Sequence, residues 1–148
     1  IYGGKLTTYR KLAEDVVDVI APRLGCTAPH WTAGAPLPGG DMPDADFAAF
    51  LASVAARHPW LPPTLRQRYA RLYGTRVERL LQGATALADL GEEVLPGLHC
   101  REIDYLRDEE WAVDAEDILY RRTKLGLHVP PDGPARLDAW LARHPGVP

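Results

Sequence analysis

The residues best equipped for chemistry stand almost at the start of the chain, in GGKLTTYRKLAE at positions 3–14. Gly3 and Gly4 let the backbone approach a ligand closely. Lys5 adds a full positive charge, and the first turn of the helix that follows presents unpaired N–H groups. Together these residues make a cradle for an anion or a polar oxygen. The charge order supports this. Lys5, Arg10 and Lys11 precede the first acid, Glu14, although the positive end of a helix dipole favours acids at that place. The alternative is a plain, flexible start to a helix. The spacing is neither that of a Walker loop nor G-x-G-x-x-G, and neither pattern occurs elsewhere in the chain.

Two further stretches carry concentrated charge. LYRRTKLGLH, residues 119–128, holds Arg121, Arg122 and Lys124 after an acidic run from Asp108 to Asp117. Acids at a helix start and bases at its end complement the dipole, so ion pairing competes here with a phosphate or partner site. LRQRYARLYGTRVERLL places Arg66, Arg68, Arg71, Arg76 and Arg79 on two short helices around Gly74. That arrangement is shared by helix-turn-helix DNA binders and by ordinary helix–Gly–helix turns. The net charge of −3 speaks against nucleic acid as a partner. No metal is expected. Cys26-x-x-x-His30 and His99-Cys100 match no common zinc module, and DEEWAVDAED lacks the central glycine of a calcium loop.

These stretches must be positioned by helices. Leu12, Val16, Val17, Ile20 and Leu24 recur at helical spacing and predict a helix from Thr7 or Thr8 to Leu24, capped by one of those threonines and stopped by Gly25. Residues 25–43 are rich in Pro and Gly and read as a linker or surface loop, with Trp31 and Leu37 docking parts of it. From residue 44 the pattern is helical with short turns. Asp44 or Asp46 caps a helix bearing Phe47, Phe50, Leu51 and Val54. Pro62-Pro63-Thr64 opens the next, closed by Gly74. Thr75–Glu78 reads as a capping box. Residues 83–100 look irregular. A helix over about 101–112 carries Ile103, Leu106 and Trp111, and another begins at Asp114 with Ile118, Leu119 and Leu125 inward and Gly126 as its stop. A last one covers about 134–143, with Leu137, Trp140 and Leu141. No strand pattern extends beyond a few residues; Ile1-Tyr2 reads as the tail of a strand. The fold class is all-α: an irregular helical bundle preceded by one long helix.

The chain's 148 residues and 46% hydrophobic content suit a domain that buries its own core. Cys26 and Cys100 read as reduced thiols rather than a disulfide framework. No apolar run approaches the ~18 residues of a membrane span. The chain opens without an initiator Met, which predicts a piece of a longer protein.

GGKLTTYRKLAE resembles the signature at the C-terminal end of the catalytic domain of FAD-dependent glycerol-3-phosphate dehydrogenases. The resemblance continues through WT at 31–32, LPGGD at 37–41, RYARLYG at 68–74, DLGE at 89–92, EIDYLRDEEW at 102–111 and AEDILYRRTKLGL at 115–127. It is most similar to the bacterial aerobic, quinone-linked type; Tyr120 stands where that family often has Trp. The resemblance implies that residues 1–24 are the last helix of an FAD-binding domain, 25–43 a linker and 44–148 a helical C-terminal domain. It implies FAD contacts through Gly3, Gly4, Leu6 and Thr7, and a catalytic role for Lys5 beside the substrate oxygen. The implied partners are the chain's own N-terminal FAD domain, glycerol 3-phosphate and quinone, with a homo-oligomer open. The implied location is the cytoplasmic face of the membrane, held peripherally. The 148 residues alone are expected to be inactive and to bind FAD weakly or not at all. A helical protein–protein interaction module is the alternative reading.

Overall fold

The computed structural model describes residues 5–145. Two compact units follow one another, one up to Leu37 and one from Pro38 onward.

The first unit is built on α1, Tyr9–Ile20, entered by a 3-10 turn at Leu6–Thr8 and left by another at Ala21–Leu24. Pro22 explains the second: it has no N–H for an α-helical bond, so the last turn tightens. Gly25 then stops the element with φ +67, as the sequence predicts. Thr8 occupies the N-cap position but makes no side-chain cap bond; its hydroxyl instead donates backwards to the Lys5 carbonyl at 2.8 Å. The apolar stripe exists, yet Leu12, Val17, Ile20 and Leu24 remain exposed. The buried α1 residue is Glu14. Trp31 (72% exposed) and Leu37 (63% exposed) do not dock. The expected anchoring of the loop by apolar contact is replaced by polar contact, described below. Gly3, Gly4 and the expected strand tail at Ile1-Tyr2 lie outside the described residues.

The second unit is a small helical assembly with one short hairpin. Helix α2, Phe47–Arg57, starts at Asp46, whose carboxylate accepts from the Ala49 N–H at 3.0 Å. Helix α3, Pro63–Tyr73, begins with the prolines that suit a first turn. Helix α4 is one turn, Val77–Leu80. The expected capping box at Thr75–Glu78 is absent. Residues Gly74–Arg76 form a 3-10 turn instead, and the Glu78 carboxylate bonds Arg57 and His58.

Residues 83–100 are more regular than their composition suggests. Strands β1, Glu93–Leu95, and β2, Leu98–His99, pair antiparallel through a Pro96-Gly97 turn. The strands are too short to display alternation, but Pro-Gly between Val94-Leu95 and Leu98 is a turn signal. Helix α5, Cys100–Glu110, follows directly. Trp111, expected in the core, ends α5 in a left-handed conformation and is 82% exposed; the turn aims its side chain outward. Asp117–Arg122 is a π-helical turn, which ends before Gly126. Gly126 lies instead inside the 3-10 turn Leu125–Leu127, beneath the Tyr120 ring, which leaves no room for a Cβ. Helix α6, Gly133–Arg143, follows as the last described helix.

The core of this unit joins Val54, Leu61, Tyr69, Val77, Leu80, Leu90, Leu98, Ile103, Leu106, Ile118, Leu119 and Leu137, all essentially buried. The architecture is mostly helical, as the sequence predicts, with the hairpin as the addition. One backbone crossing ties its entry to its body. Gly39 (φ +83) and Gly74 (φ +53) pass so closely that a Cβ on Gly74 would fall 1.9 Å from the Gly39 oxygen. The Thr75 N–H donates to that oxygen at 3.0 Å.

Candidate functional site

Lys5, Leu6 and Thr7 form the described part of the predicted cradle. All three are exposed, Leu6 at 85%. Lys5 has an extended backbone (φ −68, ψ 129) and leads into the 3-10 turn. Neither this turn nor the first turn of α1 contains an acid. The site therefore offers a cation and the N-terminal pole of a helix with no carboxylate in either turn to neutralise them. The Lys5 carbonyl is held from behind by Thr8 through its N–H at 2.9 Å and its hydroxyl at 2.8 Å.

Two turns further along α1 lies a polar cluster that sequence reasoning missed. The nearly buried Glu14 carboxylate accepts from Thr32 Oγ1 at 2.5 Å and from Arg10 at 2.7 Å. Arg10 also reaches the Thr32 hydroxyl at 3.2 Å. His30 Nε2 meets Asp18 at 2.7 Å, and its Nδ1 lies 3.8 Å from Glu14. Residues 30–32 are thereby strapped onto α1. The Thr32 hydroxyl is the main cause that holds the Glu14 carboxyl below its ordinary range, with the charges of Arg10, His30 and Lys11 adding to it against the opposing effect of burial. The hydrogen bond and charge of Asp18, then the charge of Glu14, hold His30 above its ordinary value. The signal for this cluster was faint: an acid at the centre of an apolar stripe, and a threonine in a proline-rich loop.

The arginine stretches resolve into internal pairs. Arg68 grips Glu102 with both terminal nitrogens at 2.6 Å each, and Tyr73 donates to the same carboxylate at 2.5 Å. Glu102 has no exposed surface. Arg68 also donates to the Gly97 carbonyl at 2.5 Å, while Glu93 accepts from the Gly97 N–H at 2.7 Å, so the hairpin turn is clamped from both sides. Burial, and then the charge of Glu102, keep the Tyr73 hydroxyl protonated far above its ordinary range. Arg68 lines a cleft of about 400 Å³ with Pro62, Leu65, Pro96 and His99. Arg76 bonds Tyr105 and Glu109, and Arg79 pairs with Glu109 as well. Three of the five arginines are thus paired within the fold, although Arg79 keeps 60% side-chain exposure. In the RRTK segment, Arg121 pairs with Glu116 and Asp117, and the Lys124 ammonium turns back to the Tyr120 carbonyl. Arg122 is exposed, with no ion pair among the described residues. His30 and the free thiol of Cys26 do not join a metal-binding group, and no such group of His, Cys, Asp and Glu occurs among the described residues.

Residues 30–140 match the sequence pattern of the C-terminal domain of alpha-glycerophosphate oxidase. The chain belongs to this family. Among curated proteins, the glycerol-3-phosphate dehydrogenase of Pseudomonas aeruginosa is 50% identical over 149 residues, covering 100% of this chain and 29% of that protein. The aerobic glycerol-3-phosphate dehydrogenase of Escherichia coli is 40% identical, covering 97% of this chain and 28% of that protein. A D-erythritol 1-phosphate dehydrogenase of Brucella abortus is 42% identical over 95% of this chain and 28% of its own length. The chain thus spans less than a third of each of these relatives.

The similarity to the Pseudomonas aeruginosa protein runs through the whole chain, including the Lys5 segment. The family pattern begins only at residue 30. No helix among the described residues is long and apolar enough to cross a membrane.

Proposed function

We propose that this chain is the C-terminal region of a respiratory, FAD-dependent glycerol-3-phosphate dehydrogenase, with residues 1–24 completing an FAD-binding domain and residues 44–148 forming a helical cap. The observation that carries this reading is the 50% identity to the Pseudomonas aeruginosa enzyme across the entire chain. The exposed stripe of α1 adds support. Leu12, Val17, Ile20 and Leu24 form an amphipathic face without cover among the described residues, as expected of a helix whose partner is the remainder of an FAD domain.

The donor set suits the oxygen-bearing edge of a flavin ring. Lys5 is a cation with no ion pair among the described residues, Leu6 and Thr7 offer N–H groups at a helix start, and no acid stands in that turn. Gly3 and Gly4 would bring the backbone close to the ring. FAD supplies the capacity to accept a hydride from substrate C2. The Lys5 ammonium contributes a fixed positive charge that stabilises the alkoxide forming on the substrate oxygen as its hydroxyl proton passes to a base of the remaining FAD domain; that alkoxide would expel the C2 hydride as its oxygen becomes the product carbonyl. In the full-length enzyme these electrons would pass from the bound flavin to membrane quinone, with the protein held peripherally at the cytoplasmic face. Without the remainder of the FAD domain, these 148 residues hold neither flavin nor activity.

The Brucella abortus relative favours a second reading of the substrate. Its 42% identity is close to that of the Escherichia coli enzyme, so a four-carbon polyol phosphate stands beside glycerol 3-phosphate. The test uses the full-length enzyme with each substrate, a quinone analogue as acceptor, and FAD content measured in parallel. Lys5→Ala is expected to retain FAD and to lower kcat by about 10²–10³-fold, the usual loss for one electrostatic stabiliser. Full activity of Lys5→Ala would place the electrostatic stabiliser elsewhere. Turnover of D-erythritol 1-phosphate but not glycerol 3-phosphate would move the substrate assignment.

A further inference from the structure

Thr8 closes the 3-10 turn that leads out of the cradle and also stands at the N-cap position of α1. A threonine at an N-cap ordinarily turns its oxygen forward, to accept from the N–H groups of the first turn. Thr8 makes no such bond. Its hydroxyl points backwards and donates to the Lys5 carbonyl at 2.8 Å, alongside its own N–H at 2.9 Å. One carbonyl thus receives two donors from a single residue. Both Thr8 bonds end on the backbone of the one cation in the proposed cradle.

The consequence follows from peptide geometry. The peptide joining Lys5 to Leu6 is planar and trans, so its C=O and N–H point in opposite directions. A carbonyl pinned toward Thr8, into the helix, sends the Leu6 N–H outward, away from the helix body. The same restraint fixes ψ of Lys5 at 129°, and with it the direction in which the Lys5 side chain leaves the backbone. The hydroxyl therefore reinforces the backbone bond that sets two donors at once, the Leu6 N–H and the Lys5 ammonium. Without it the exposed carbonyl keeps only the Thr8 N–H, water can take the hydroxyl's place, and the peptide plane is held less firmly.

We infer that Thr8 is a positioning residue, whose backward hydrogen bond to the Lys5 carbonyl aims the Lys5 ammonium and the Leu6 N–H at the flavin and substrate oxygens. This rests on the reading of Lys5 and Leu6 given under Proposed function. Thr8 itself touches neither cofactor nor substrate. Its effect is one of aim, and aim errors of about 1 Å cost up to ~10²-fold in rate.

The experiment uses the full-length flavoenzyme with Thr8→Val, Thr8→Ala, Thr8→Ser and Lys5→Ala. The readouts are kcat and KM for glycerol 3-phosphate, together with the flavin midpoint potential measured without substrate. Thr8→Val keeps the shape and loses the hydroxyl. Thr8→Ala also loses it but favours the helix, so a folding defect in Val does not remove the test. Both are expected to lower kcat about ten-fold with little change in KM, and to lower the midpoint potential, because a poorly aimed cation and N–H stabilise the reduced ring less. Thr8→Ser restores the hydroxyl and is expected to restore both readouts. If the hydroxyl-free variants match the parent in rate and potential while Lys5→Ala is slow, the inference about Thr8 is overturned and the reading of Lys5 survives. A fast Lys5→Ala overturns that reading, and this inference with it.

Discussion

The Arg68–Glu102 pair offers a sharp test of what holds the second unit together. Glu102 is wholly buried, while Arg68 retains 22% of its side-chain exposure along the cleft. Removing one partner of a buried pair costs about 3–5 kcal/mol, because the other charge is left uncompensated. Arg68→Met should reach the lower part of that range, since water entering through the cleft offsets some of the loss, and Tyr73 still donates to the carboxylate. Glu102→Gln should cost less, about 1–2 kcal/mol: it preserves shape and an acceptor, and the Arg68 charge it strands can turn toward solvent. The double variant Arg68→Met/Glu102→Leu should recover much of the stability, because replacing both charges by apolar groups is often close to neutral. The two single effects should therefore fail to add by about 2 kcal/mol or more. Urea unfolding followed by circular dichroism measures all four proteins. At this size each kcal/mol is worth about 3–6 °C in Tm, so Arg68→Met should melt about 10–20 °C lower. Single variants that each cost under about 1 kcal/mol, or that simply add, would refute the picture of a clamp in which the partners depend on each other.

Two other outcomes follow from local geometry. Gly74→Ala should destabilise by about 2–4 kcal/mol, since its Cβ would meet the Gly39 oxygen, whereas Gly83→Ala, with φ +79 but nothing within 4 Å, should cost only the left-handed conformation, about 1–2 kcal/mol; comparable thermal shifts for both would show that the crossing is not tight. The strap on α1 should be pH-dependent in both directions: the Glu14 contribution is fully present above the ordinary glutamate value of ~4.3 and is lost as pH falls through its lowered folded value, while the His30 contribution is fully present below ~6.5 and is lost as pH rises through its raised folded value. Amide hydrogen exchange of residues 30–34, corrected for intrinsic rates, should be slowest between those limits, and Thr32→Val should weaken the acid-side dependence; a pH-independent protection would contradict the assignment.

The helical pattern was legible because apolar spacing, proline starts and glycine stops act locally. Asp46, Pro63 and Gly25 sit where their chemistry predicts. The misreadings arose where a residue had a stronger distant partner. Glu78 looked like half of a capping box, but Arg57 and His58 claim its carboxylate. Trp111 looked like core because its spacing continues the α5 stripe, yet a left-handed turn at that residue reverses its direction. In the candidate site, the sequence singles out Lys5 by its charge at the wrong end of a helix dipole, and its role there is the proposal made above. Thr8 is not singled out, since sequence shows a cap residue but not which way its hydroxyl turns. Glu102 could have been found: an acid beside Ile103 and one turn before Leu106, on an otherwise apolar face, calls for a cation, and Arg68 sits among apolar neighbours on α3.

The crossing of Gly39 and Gly74 makes a closed ring of the chain between them, with α2 and α3 as its arc. Closing a ring of this length costs entropy once, and lengthening it adds little. Insertions in the turn between α2 and α3 should therefore be tolerated far better than a change at either glycine. The ring also fixes where an autonomous piece of this fold must begin. A fragment cut to start at Asp44, where the helical pattern sets in, discards Gly39 and leaves the Thr75 N–H without its acceptor. One cut to start at Pro38 keeps the ring shut.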